Sequence, residues 1–231
     1  MLRAGSWWAL ALFAGALVAF WPPYLSRLGD AELAAHVHAA FMTVWLVLLS
    51  VQPWLVSRER RALHRTLGRL SYALVPVIVL SGLVLWHVRL MRIPDADLAT
   101  AAASQYLGVG AMLNFAVFWA LGIRHRRVSA VHGRYLLATL LPMVDPVTAR
   151  LMGYYGPPLP ADWMYAMPAW IAVTVVIGSL AWRDARTGGP ARWTFARTLG
   201  IYALFQAPIL LFAPTSWWSA LVLGYRAAFS D

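Results

Sequence analysis

The chain has no cysteine and no lysine, and only 12% of its 231 residues are charged. Without cysteine there are no disulfides, thiolate metal sites, thioether-attached haem or cysteine nucleophile. All 19 basic residues are arginine, which excludes a retinal Schiff base and lysine-based covalent catalysis. A soluble domain carries roughly a quarter charged residues. Here the charges are scarce and clumped, and 61% of the residues are hydrophobic.

Long apolar runs between short charged connectors are the pattern of a polytopic membrane protein, since a spanning helix needs about 20 mostly apolar residues. Seven segments qualify or nearly do: Gly5–Trp21, Ala34–Val56, Leu70–Leu90, Tyr106–Ile123, Tyr135–Tyr154, Met164–Trp182 and Thr198–Phe212. The first is too long for a signal peptide and ends in "FWPPY" instead of a small-residue cleavage site. The expected fold is therefore all-α, one seven-helix transmembrane domain over residues 1–231. Residues 214–231, "PTSWWSALVLGYRAAFSD", form an interfacial tail too short to span, with Trp217 and Trp218 suited to the headgroup layer. The connector "RIPDADLATAAASQ" reads as a short surface helix.

The formal charge of +10 is spread over connectors and forms no single basic face, so it argues for topology and against nucleic acid. Arg3 and the connectors "SRERRALHRTLGR", "RHRRVSAVHGR" and "RDARTGGPARWTFAR" hold fourteen of the 19 arginines and alternate correctly with the seven spans. By the positive-inside rule that side is cytoplasmic, with the amino terminus inside and a bacterial cytoplasmic membrane as the setting. "RTLG" recurs at Arg65–Gly68 and Arg197–Gly200, a spacing that any chain of helical hairpins produces. Pro76, Pro142, Pro146 and Pro208 each free a carbonyl and kink a span.

The topology sorts the six histidines three and three. His36, His38 and His87 lie toward the outer face; His64, His125 and His132 lie toward the inner one. Two haem sites stacked across a bilayer need this sorting, with each iron taking one imidazole from each of two helices. The pairs are His36 or His38 with His87, and His64 with His132. Adjacent-but-one His36 and His38 point to opposite sides, so only one can face a given partner. On one continuous helix His64 and His87 stand roughly 34 Å apart, so at least one is interfacial. The alternative is that these are amphipathic headgroup residues with no ligand. A bare metal at His36, His38 and His87 is a weaker option, because no HxxxH or HExxH places two ligands on one helical face. His125, within "RHRR", reads as solvated.

Asp145 is the one acidic residue well inside a span, and an intramembrane carboxylate must be paired, protonated or wetted. It shares a helical face with Thr148 and, three turns back, Arg134; its role is either to cap carbonyls freed by the Pro142/Pro146 kink or to serve function. Asn114, Gln52 and Gln206 suit interhelical hydrogen bonds. Arg65, Arg69, Arg134 and Arg197 sit at inner helix starts, where they snorkel to lipid phosphates or contact haem propionates or an anionic substrate.

The stretch "HVHAAFMTVWLVLLSVQPWLVSRERRALHRTLGRLSY" resembles an uncharacterised family of bacterial multi-span membrane proteins with an "lHR..GR.y" helix-opening motif. The matching positions are His36 or His38, Gln52, His64, Arg65, Gly68, Arg69 and Tyr72. "RHRRVSAVHGRYLLATLLPMVDPVTARL" resembles the family's second histidine–arginine segment, ending at Arg150. The resemblance covers about residues 33 to 152 and implies no particular activity. More loosely, the chain is similar to cytochrome b561-type and ferric-reductase-type membrane proteins. That similarity rests on histidines at both membrane faces and implies haem b; those families present their ligands from four helices, whereas here only spans two, three and five, with their flanks, carry histidine.

The leading functional expectation is thus a membrane b-type haem protein in transmembrane electron transfer, with His64, His87 and His132 on iron. The alternative is a non-redox carrier or accessory subunit with no cofactor, for which Asp145 is the key residue. The expected partners are lipid and a redox protein or a second copy within the membrane.

Overall fold

A computed structural model describes residues 2–160, 162–206 and 216–229. The chain is all-α, with no strand among the described residues. Its helices are α1 (Leu2–Ala19), α2 (Leu33–Ser57), α3 (Arg61–Arg69), α4 (Ser71–Met91), α5 (Asp95–Arg124), α6 (Ser129–Ala138), α7 (Leu141–Tyr155), α8 (Met167–Thr187), α9 (Thr194–Gln206) and α10 (Ser216–Ala227).

Five stretches are long and apolar enough to cross a membrane: Leu33–Ser57, Arg61–Met91, Ser104–Arg124, Ser129–Tyr155 and Met164–Thr187. Their outward faces are compatible with lipid. Val44, Val47, Leu80, Val84, Ile171 and Val175 are exposed, which is the arrangement hydrocarbon surroundings permit. The apolar part of α1, Gly5–Ala19, is shorter than these. The expected seventh span begins on α9, and its portion beyond Gln206, with Pro208, lies outside the described residues.

Arg61–Arg69 form α3, which runs into α4 across Leu70, so helix begins ahead of the expected span start at Leu70. One local expectation is corrected. Residues 95–105 are not a separate surface helix but the first turns of the 30-residue α5. The path from Ser129 to Tyr155 is also two helices, broken at Thr139–Leu140. Pro142 explains the break, because it has no N–H for the Ala138 carbonyl and its ring crowds that turn. The buried Thr139 hydroxyl donates to the Leu136 carbonyl at 2.6 Å and accepts the Trp45 indole N–H at 3.1 Å.

The long α5 is central. Its Phe115 packs with Trp45, Ile78 and Leu140, whereas Phe118 belongs with Tyr135, Trp170 and Tyr202. Between membrane helices there is no water to expel, so close backbone approach has to supply the packing. At Gly110 it does: a Cβ there would lie 2.9 Å from the Phe205 carbonyl oxygen of α9.

Contacts sort the connectors into two ends. His64 stands beside His132, and Arg134 reaches Asp184 and the Ala191 carbonyl, so the three arginine-rich connectors gather at one end. At the other end Arg92 meets Glu32 and Arg226 meets Asp95. The tail helix α10 docks there. The Trp218 N–H donates to the Ala102 carbonyl at 2.7 Å, and Val222 is 1% exposed against Leu90, Leu98 and Ala102.

Candidate functional site

His64 and His132 reach each other from opposite sides of the arginine-rich end. His64 lies on α3, whose start is fixed by Gln52: the α2 amide donates to the His64 carbonyl at 3.2 Å. Thus "Q…HR..G" ties two helices together through backbone. His132 lies in the first turns of α6, and its Nδ1–H donates to the Gly122 carbonyl at 2.8 Å. That bond places a proton on Nδ1 and turns Nε2 away from Gly122. The two rings are perpendicular, at 87°, with centroids 6.4 Å apart. His64 Nδ1 is buried without a hydrogen-bond partner.

The two rings are in contact, so these are the two imidazoles that could share a metal. The Gly122 carbonyl behind His132 is the kind of outer partner that orients a ligating histidine. The donor set is two imidazole nitrogens, which leaves a bare ion short of ligands. Among the described residues no three His, Asp or Glu side chains gather into a metal-binding group.

The expected outer pairing does not form. His36 shares a 2.8 Å hydrogen bond with Tyr24, and His87 shares one of 3.0 Å with Tyr225 of α10, flanked by Phe229. His38 donates from Nδ1 to Ser81 at 3.2 Å, the Ser81 hydroxyl being already committed to the Ile78 carbonyl. Ser81 and His87 lie six residues apart on α4, about 9 Å along its axis, so His38 and His87 stand at different depths. The backbone between α2 and α4 is close here. A Cβ on Gly82 would stand 3.0 Å from the His38 ring and collide with Met112. His125 is not free in solvent either; it stacks on Tyr135 with centroids 5.8 Å apart.

The two arginines assigned to propionates part company. Arg69 is exposed at the end of α3. Arg134 is committed elsewhere: it pairs with Asp184 of α8, donates to the Ala191 carbonyl and lies 4.7 Å from the centre of the Phe195 ring. It therefore ties α6 to the turn between α8 and α9, and it does not serve Asp145 as the shared helical face suggested.

Asp145 forms a second polar centre, 3% exposed. Tyr202 donates to one carboxyl oxygen at 2.8 Å and the Gln206 amide donates to the other. The Trp170 indole N–H faces the same carboxyl without reaching hydrogen-bond geometry. Tyr202 and Trp170 escaped the sequence reading. The usable signal for Tyr202 was its i, i+4 spacing to Gln206 on an otherwise apolar helix; Trp170 gave none, being one tryptophan of 13. Asp184 was hidden inside an arginine-rich connector.

Comparison with protein-family models, with curated proteins and with solved structures finds no match, so these two centres are interpreted on their own geometry.

Proposed function

We propose that the chain is a membrane b-type haem protein that carries electrons, with one haem held between His64 and His132 at the arginine-rich end. The observation that carries this reading is the perpendicular ring pair at 6.4 Å. Haem held by these two residues would supply one-electron transfer. Within the protein, the Gly122 carbonyl orients His132, and the Gln52 amide holds the backbone of α3 so that His64 faces it. Exposed Arg69 is available to an acidic group at the membrane edge, whereas Arg134 is a structural tie. The separate partners of His36, His38 and His87 give no support to a second haem. The looser similarity to cytochrome b561-type proteins is consistent with one haem site of this kind and lends it no residue.

The topology that goes with this reading has seven crossings. α1 supplies the first, and α9 begins the last. The gathering of the arginine-rich connectors supports a cytoplasmic location for that end, in a bacterial cytoplasmic membrane, with the amino terminus on the same side. The haem then sits near the cytoplasmic face, within reach of a soluble or membrane-bound redox partner.

Protein purified in detergent from haem-replete cells should show a sharp Soret band. His64→Ala and His132→Ala should each abolish it, whereas His38→Ala and His87→Ala should keep it. A colourless wild-type preparation overturns the reading. A band that depends on His87 and survives His64→Ala overturns the site. The second reading, a cofactor-free carrier, is favoured by the buried Asp145 centre and predicts that all four histidine variants behave alike.

A further inference from the structure

The geometry points to Asp145 as an intramembrane proton-binding group, a carboxyl that takes up and releases a proton in the interior of the bundle. It is independent of the haem reading, since no histidine takes part, and it deepens the carrier reading, which rests on the same carboxyl. Asp145 lies 16 residues from Ser129 and 10 from Tyr155 along the α6–α7 crossing, about 24 Å and about 15 Å of helical path. Neither end of the crossing brings it within reach of bulk water.

Among the described residues the groups found at Asp145 are hydrogen-bond donors. α9 gives Tyr202 and Gln206, and α8 gives the Trp170 N–H. α1 carries no ionisable residue between Gly5 and Ala19. Ionisable side chains of α5 within the crossing are Tyr106 and Arg124, at its two ends. Arg183 and Asp184 of α8 and Arg197 of α9 belong to the arginine-rich end. In the turn before α8, the Tyr165 hydroxyl accepts the Leu159 N–H. On α7 itself Arg150 donates to the Pro146 carbonyl at 2.9 Å and lies 4.4 Å from the centre of the Phe20 ring. A carboxylate here would thus be a buried charge with hydrogen bonds and, among the described residues, no counter-ion, the situation that a bound proton relieves.

The second observation is a set of buried, unpartnered polar atoms: two belong to residues around the carboxyl, and two to Asn114 of α5, whose helix packs on α9. Gln206 Oε1 and Trp170 Nε1 are buried and make no hydrogen bond. Neither side-chain atom of Asn114 makes one, and Asn114 is 0% exposed. Asn114 lies one turn from Gly110 on the same face of α5, the face that touches Phe205 of α9. It is therefore aimed at the α9 segment that carries Tyr202 and Gln206. A purely structural carboxylate would be closed by its partners. Here the Gln206 Oε1 and the Trp170 N–H beside the carboxyl remain able to pass a proton, and native interiors rarely leave such atoms idle. The balance is simple: a hydrated proton adds to one Asp145 oxygen, the carboxylate becomes a neutral acid, and Tyr202 or Gln206 keeps its hydrogen bond to the other oxygen.

The test is infrared difference spectroscopy of the purified protein in lipid. Wild type should give the C=O stretch of a protonated carboxylic acid that shifts in D2O and fades as the pH is raised. Asp145→Asn should lack it. If that variant does not fold, Asp145→Glu should move the band while keeping the titration. His64→Ala should titrate as wild type does, which separates this result from the haem test. No Asp145-dependent band at any pH at which the protein stays folded would mean a permanently ionised acceptor. A band that neither titrates nor exchanges would mean a locked structural acid. Either outcome overturns the proposal.

Discussion

Replacing Asp184 with asparagine should loosen the arginine-rich end more than any other single polar change there. Its carboxylate pairs with Arg134, and the two side chains are only 7% and 12% exposed. The pair is therefore poorly screened, unlike a surface salt bridge. After the change the guanidinium keeps the Ala191 carbonyl and the Phe195 ring face but loses the anion that balances its charge. Breaking a buried pair by removing one partner costs about 3–5 kcal/mol. For a domain of this size that lowers the melting temperature by about 6 to 20 °C. The assay is thermal unfolding in detergent followed by tryptophan fluorescence, which the 13 indoles make sensitive. Replacing both partners with apolar side chains (Arg134→Met with Asp184→Leu) should restore most of the loss, because the desolvation cost leaves with the charges. The reasoning fails if Asp184→Asn melts within about 2 °C of wild type. It fails equally if the double variant is worse than the single. Persistence of the Soret band in Asp184→Asn would also agree with Arg134 having no propionate role.

Two further outcomes are expected. Gly110→Ala should cost about 1–3 kcal/mol in denaturant titration, because its Cβ would press on the Phe205 backbone carbonyl. Gly108→Ala should cost less, since it meets only the Trp86 side chain at 3.0 Å, which can turn aside; equal effects would refute the close α5–α9 approach. Orientation can be read with single cysteines, as the chain has none of its own. A membrane-impermeant maleimide added to intact cells should label Asp30→Cys, and should label Arg127→Cys only after lysis; the reverse pattern turns the molecule over and puts the His64–His132 pair at the outer face.

The sequence disclosed what depends on local composition. Apolar runs and clustered arginines gave the helices and their two ends, because a bilayer imposes one length and one periodicity on every crossing. The break near Pro142 was equally visible, since proline acts on its own turn. Contacts between distant segments were not. Arg134 reads as a lipid-facing residue until Asp184, 50 positions later, is folded against it. Asp145 suggested Arg134 on its own helical face, yet its partners come from α9, 57 and 61 positions away. Among the histidines, spacing narrowed the outer set to one of His36 and His38. It could not reveal that Tyr24, Ser81 and Tyr225 already engage all three outer imidazoles. The Arg61–Arg69 stretch looked like a connector because its charges hide a helix that lies at the membrane edge.

The end at which α3, α6 and the α8–α9 turn converge owes its charge to guanidinium alone. Arginine does not lose its proton at any pH a cell reaches, so nothing short of chemical modification switches that cap off. In a bilayer a dense and permanent positive rim should attract acidic phospholipid, each residue near the surface adding about 1 kcal/mol. Lipid co-purified in a mild detergent should then be richer in acidic headgroups than the membrane it came from.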